Sequence, residues 1–170
     1  MAFNWLKNWM LGNADKKIAR SIVPGEAKSI GVLLDNADDT QLAAVRSYFQ
    51  HKGISSDQLE FLLFLPEKPV ELPSCLYYHQ KEIKWAGFAF NEDIASFLSH
   101  TYGKLYYLFA DFDIHQQLIL KHCKAAFKTG IYTKGLEPWL DLTIDDHPGD
   151  SLAKIKLIDN WIDKISSHGK

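Results

Sequence analysis

The residues of this chain best suited to chemistry are acids in three places. Asp35 closes the apolar run SIGVLLD at 29–35, Asp111 and Asp113 follow the run LYYLFA at 105–110, and Asp145 with Asp146 follows residues 140–144. Two carboxylates beside an imidazole hold hard divalent cations, and Asp111-x-Asp113-x-His115 has that composition. The same residues have another use. Asp113 followed three residues later by Gln116 has the spacing of a capping box, in which each side chain satisfies a free backbone N–H at a helix start. His115 then falls in the first helical turn. We expect the cap, and no metal. Asp145, Asp146 and His147 run into Pro148-Gly149 and read as a polar turn. In an open parallel sheet, ligands bind beyond the carboxyl ends of the strands. Asp35, Asp111, Asp113 and Asp145 are therefore the candidate ligand-binding residues. Convergence on one pocket would favour a ligand binder or an enzyme; scatter, or use as helix caps, would count against it.

Other chemistries lack their residues. There is no G-x-G-x-x-G and no G-x-x-x-x-G-K-[ST] phosphate cradle, and the loop after residue 35 is Asn36-Ala37-Asp38-Asp39, acidic where a phosphate wants glycine and backbone N–H groups. No G-x-S-x-G elbow occurs. No cofactor is expected, and no catalytic residue is assigned. The two cysteines, Cys75 and Cys123, are too few for a secreted disulfide scaffold and too isolated for zinc. Cys123 reads as a small buried hydrophobe in a helix.

With 19 basic and 21 acidic side chains, the formal net charge of -2 gives no basic excess for nucleic acid. Lys121, Lys124 and Lys128, with His122, read as a solvated helix face and the turn after it. No stretch approaches the roughly 20 apolar residues that span a bilayer, and the N-terminus lacks a signal-peptide pattern. A cytoplasmic protein is expected. The aromatics Tyr77, Tyr78, Trp85, Phe88, Phe90, Tyr106, Tyr107, Phe109 and Phe112 read as core and edge cover, with a stacking pocket as the alternative.

The elements that must position these residues follow from periodicity. Residues 3–22 read as a helix that stops before Pro24-Gly25. Phe3, Leu6 and Met10 share one face, and Trp5 and Trp9 form a second row. This appendage, residues 1–24, precedes a single domain at 25–170. The apolar runs at 29–35, 59–65 and 105–110 read as core strands of a parallel sheet, which should be adjacent or nearly so. Residues 76–79 and 83–85 are weaker strands, and 127–132 and 140–144 are the last two. Asp39 or Thr40 should cap a helix closed by Gly53, and Asn91 a short helix to Leu98. Residues 114–125 form another helix. The last helix opens at Asp150 or Ser151 and buries Leu152, Ile155, Ile158, Ile162 and Ile165 along one stripe. Apolar strands alternating with helices indicate an α/β, three-layer, Rossmann-like domain, with a mostly parallel sheet of five or six strands and an N-terminal helical appendage.

The stretches IGVLLD (30–35), 61–65, KWAG (84–87), LYYLFAD (105–111), CKAAFKTG (123–130) and 140–144 together resemble a family of small bacterial proteins known only as a domain of unknown function. That resemblance implies an α/β fold and no assigned activity. Residues 105–130 also resemble, locally, the N-terminal Rossmann-like half of heptosyltransferase-type glycosyltransferases. A second Rossmann domain, which those enzymes need for the sugar nucleotide, does not fit in this chain.

The expected function is that of a non-catalytic interaction or scaffold protein, and the alternative is a small-ligand binder or enzyme using the strand-end acids. Phe3, Trp5, Leu6, Trp9 and Met10 are the expected interaction surface. They can bury against the chain's own body, a protein partner or second copy, or a membrane surface. The membrane suits them least, because the first three turns of the helix supply only Lys7 as a cation, and packing on the chain's own domain is slightly favoured over a second copy.

Overall fold

The computed structural model describes residues 27–83, 91–146 and 148–168. Six strands alternate with four helices: β1 (Ala27–Asp35), α1 (Asp39–His51), β2 (Leu59–Leu65), β3 (Leu76–His79), α2 (Glu92–Ser99), β4 (Thr101–Leu108), α3 (Ile114–His122), β5 (Lys124–Ile131), β6 (Leu142–Ile144) and α4 (Ser151–His168). The sheet order is β3-β2-β1-β4-β5-β6, and every pairing is parallel. The fold is thus a three-layer, Rossmann-like α/β arrangement, as the alternating pattern implies. The three core runs are neighbours: Val32 pairs with Phe61 on one side and with Tyr106 on the other.

Alternation along the strands divides the core in two. Val32 and Leu34 of β1, Phe61 and Leu63 of β2, and Tyr106 and Leu108 of β4 pack under α1 and α4, against Leu42, Val45, Phe49, Ile155 and Ile158. Leu33, Leu62, Tyr78, Leu105 and Tyr107 face the other way, against Ile94, Phe97 and Leu98 of α2 and Ile119 and Leu120 of α3. Burial on both faces explains why these strands are apolar throughout. Most of the aromatics within the described residues are core, as expected.

Some local expectations need correction. Asp38, not Asp39 or Thr40, caps α1: its carboxylate accepts from the Gln41 N–H (2.8 Å) while Gln41 returns the bond, so the capping box starts one residue earlier. Helix α3 stops at His122, with Cys123 as C-cap and β5 starting at Lys124. Lys121, Lys124 and Lys128 therefore do not share a helix face. Lys128 is half-buried in β5, donating to the Leu120 carbonyl at 3.1 Å. Ile83 follows a 3₁₀ turn at Gln80–Glu82 and is not in a strand. Ile165 is 59% exposed and leaves the buried stripe of α4. The helix expected at 3–22, and with it Phe3, Trp5, Leu6, Trp9 and Met10, lies outside the described residues, as does KWAG at 84–87. Among the described residues, no helix is long and apolar enough to cross a membrane.

Candidate functional site

The strand order reverses between β1 and β4, and the crevice outside their carboxyl ends is where open α/β sheets take ligands. Here β1 ends at Asp35, and Asn36 turns the chain with φ at +50°, a conformation asparagine tolerates better than most residues. The α4 start comes in from above. A cavity of about 150 Å³ lies between, lined by Asp35, Asn36, Gln41, Leu108, Ser151 and Lys154 among others. Its lining combines two acids, Asp35 from β1 and Asp150 just before α4, with Lys154 from the first turn of α4.

The four candidate acids divide. Asp35 Oδ2 accepts the Ala110 backbone N–H at 2.9 Å, which ties the end of β1 to the end of β4. Burial pushes its carboxyl above the ordinary value; the Ala110 bond opposes this, Asp111 adds to it and Lys154 opposes it. Asp111 is a close electrostatic neighbour, and its backbone carbonyl accepts from the Tyr107 hydroxyl at 2.6 Å. Asp113 is the N-cap of α3 in a capping box with Gln116, whose Oε1 accepts the Asp113 N–H at 2.7 Å. Of the box expected from the spacing, the Gln116 half is a full hydrogen bond, whereas the Asp113 carboxylate faces the Gln116 N–H without completing a capping bond. Asp145 is exposed after β6, and its neighbour Asp146 pairs with Lys154 at 2.9 Å. Of the four acids, Asp35 alone lines the cavity. Among the described residues, no group of three or more His, Cys, Asp or Glu is arranged to hold a metal ion.

Beneath Asp111 and Asp113 lies a buried pair. The Tyr78 hydroxyl meets His115 Nδ1 at 3.1 Å, between the rings of Phe64 and Phe109. His115 is 5% exposed, and burial lowers its pKa to about 4 against the opposing pull of Asp113 and Asp111. Its imidazole is neutral at pH 7. Burial also pushes the thiols of Cys75 and Cys123 up to about 12, so neither is a thiolate at neutral pH.

Sequence reasoning missed a second polar centre. Asp159 of α4, 4% exposed, accepts from the Tyr48 hydroxyl (2.7 Å), Lys52 Nζ (2.7 Å) and the Tyr106 hydroxyl (2.5 Å), with Lys104 Nζ at 3.5 Å. Burial disfavours its charge, but the bonds from Lys52, Tyr106 and Tyr48 outweigh that and hold the carboxyl below its ordinary range. One signal was available: Asp159 follows Ile158 and shares the inward side of α4 with Ile155 and Ile162. An acid on an apolar stripe needs partners. Every lone pair used here joins α1, β4 and α4, so the cluster clamps the layers together.

A family model described as a family of unknown function, DUF6913, matches residues 4–161. No curated protein and no solved structure matches the chain.

Proposed function

We propose that this chain, which belongs to the DUF6913 family of unknown function, acts by binding another protein and not by catalysis. One observation carries the reading: the two most exposed large apolar side chains among the described residues sit together on one anchored loop. Val70 is 102% exposed and Leu72 74%, on the connection between β2 and β3. The return of this loop is stapled to α1. Asp39 Oδ1 accepts both the backbone N–H (3.2 Å) and the hydroxyl (2.8 Å) of Ser74, and Arg46 donates to the Ser74 carbonyl (2.7 Å) and Oγ (3.1 Å). Pro66, Pro69 and Pro73 restrict φ along the loop, so docking costs less conformational entropy. An apolar pair on such a base suits an apolar groove on a partner protein. The strand-end acids support the same reading, because Asp35 and Asp113 already serve backbone N–H groups or a helix cap.

Cross-linking in the source cell, with mass spectrometry, tests it. Wild type should cross-link to a protein through residues 66–75. The double variant Val70→Asp, Leu72→Asp should melt as wild type does and lose that cross-link. Equal cross-linking by both would overturn the proposal.

A second reading is favoured by the cavity at the β1/β4 crevice, where Lys154 stands opposite Asp35. At about 150 Å³ it suits only a small polar molecule, smaller than drug-sized ligands require. A saturable thermal shift with a small phosphate or carboxylate, lost in Lys154→Ala, would favour this reading over the first.

A further inference from the structure

Helix α4 carries two apolar rows. Ile155 and Ile158 are buried under the sheet, with Leu152, Leu157 and Ile162 packed beside them, so that of the large side chains in the next row only Trp161 and Ile165 are open to water. A second row at spacings of four, Ala153, Leu157, Trp161 and Ile165, winds along another side of the helix. Leu157 is half-buried, Trp161 is 46% exposed and Ile165 59% exposed. Lys164 Nζ stands 5.0 Å from the Trp161 ring centroid, and the indole is still that open. A shallow cavity of about 310 Å³ lies on the first half of the helix, lined by Pro148, Ala153, Lys154, Lys156, Leu157 and Asn160. A helix that buries one stripe and leaves a second apolar row in water is incomplete as a surface element.

The direction of α4 limits what can reach this row. The helix starts beside Asp35 and Asn36, at the carboxyl end of β1. Its Asp159 has descended to Lys52, just beyond α1, and to Lys104, which pairs with Ile30 near the beginning of β1. Trp161 and Ile165 lie further along, towards the end of the sheet where Ala27 begins. Residues 1–26 therefore join the fold at the end of the sheet that the exposed row approaches. Their sequence continues the row read above: Phe3, Leu6 and Met10 are followed at spacings of four by Ala14, Ile18 and Ile22. As a helix, residues 3–22 would be about 30 Å long, against about 27 Å for α4.

We propose that the outward row of α4 is the docking site of the chain's own N-terminal segment, with Phe3, Leu6, Met10 and the residues continuing their row packed on Leu157, Trp161 and Ile165. The proposal is independent of the loop at 66–75, which lies on the connection between β2 and β3.

A double-mutant cycle in the full chain tests it. One arm is Leu6→Lys with Met10→Lys, the other Trp161→Lys with Ile165→Lys. Each arm should lower the melting temperature by about 4–8 °C and speed amide exchange in both the segment and the C-terminal half of α4. The combined variant should melt no lower than the worse arm, because both remove one interface. Additive losses, or exchange in residues 3–22 that Trp161→Lys with Ile165→Lys leaves unchanged, would overturn the proposal. So would melting that depends on protein concentration with a doubled mass on a sizing column, which would assign the row to a second copy. Unchanged melting in both arms, with lost binding to phosphatidylserine-containing vesicles, would overturn it in favour of a membrane. The α4 side chains substituted here are exposed or outside the buried stripe, so failure to fold is not expected. The N-terminal arm provides a second variant should α4 prove sensitive.

Discussion

The Tyr106 hydroxyl donates to Asp159 Oδ1 across 2.5 Å, joining the interior strand β4 to the helix that covers it. The other carboxylate oxygen takes Tyr48 from α1 and Lys52 from just beyond its end. Removing the acceptor strands three donors, two of them phenols that burial already holds in the neutral form. Asp159→Ala should therefore cost about 2–3 kcal/mol, because the cations it leaves, Lys52 and Lys104, are partly in water, and Tyr106→Phe about 1–2 kcal/mol, measured as shifts in urea midpoint at constant slope. A loss below about 1 kcal/mol for Asp159→Ala would mean the carboxylate contributes no more than a surface ion pair.

Gly130 of β5 pairs with Tyr107 of β4, and a Cβ built there would stand 2.3 Å from the Tyr107 carbonyl oxygen and 2.8 Å from its Cβ. Backbone is on the other side of the clash, so no rotamer relieves it. Gly130→Ala should destabilise by about 3 kcal/mol or more. At Gly53, where φ is +84° and nothing lies within 4 Å, the same substitution meets only backbone strain, about 1 kcal/mol. Equal melting shifts for the two variants would contradict this ordering.

His115 gives the fold a pH dependence of known sign. Its pKa is about 4 in the folded chain and about 6.5 unfolded. Above the unfolded value both states are neutral and no penalty applies. As pH falls from about 6.5 towards 4, the unfolded chain takes up the proton first, and stability falls by about 3 kcal/mol in total. His115→Gln should flatten the dependence of unfolding free energy between these pH values. An undiminished slope in the variant would place the titration elsewhere.

Asp113 sits at the N-cap of α3 without completing a side-chain capping bond, so Asp113→Ala should cost less than about 1 kcal/mol of stability. Titrating wild type with Mg²⁺ or Mn²⁺ should leave its melting temperature unchanged. A clear shift that Asp111→Ala abolishes would make these acids a cation site instead.

The sequence by itself determined the elements and the layer plan. Runs such as LEFLLFL are apolar at every position because both faces of the strand are covered, and that pattern is local. The capping box at Asp113 was legible for the same reason: both partners lie within three residues. What only the tertiary structure decided depends on which elements meet. Periodicity places Asp159 on the inward side of α4 without saying that Tyr48, Tyr106, Lys52 and Lys104, all distant in sequence, supply its partners. It counts Ile165 with the buried stripe, although α4 by then has lost its cover. It places four acids at strand ends without distinguishing Asp35, which lines the crevice between β1 and β4, from Asp145, which follows the edge strand β6. Sheet order assigns those neighbours, and sheet order is set by long-range pairing that no local pattern encodes.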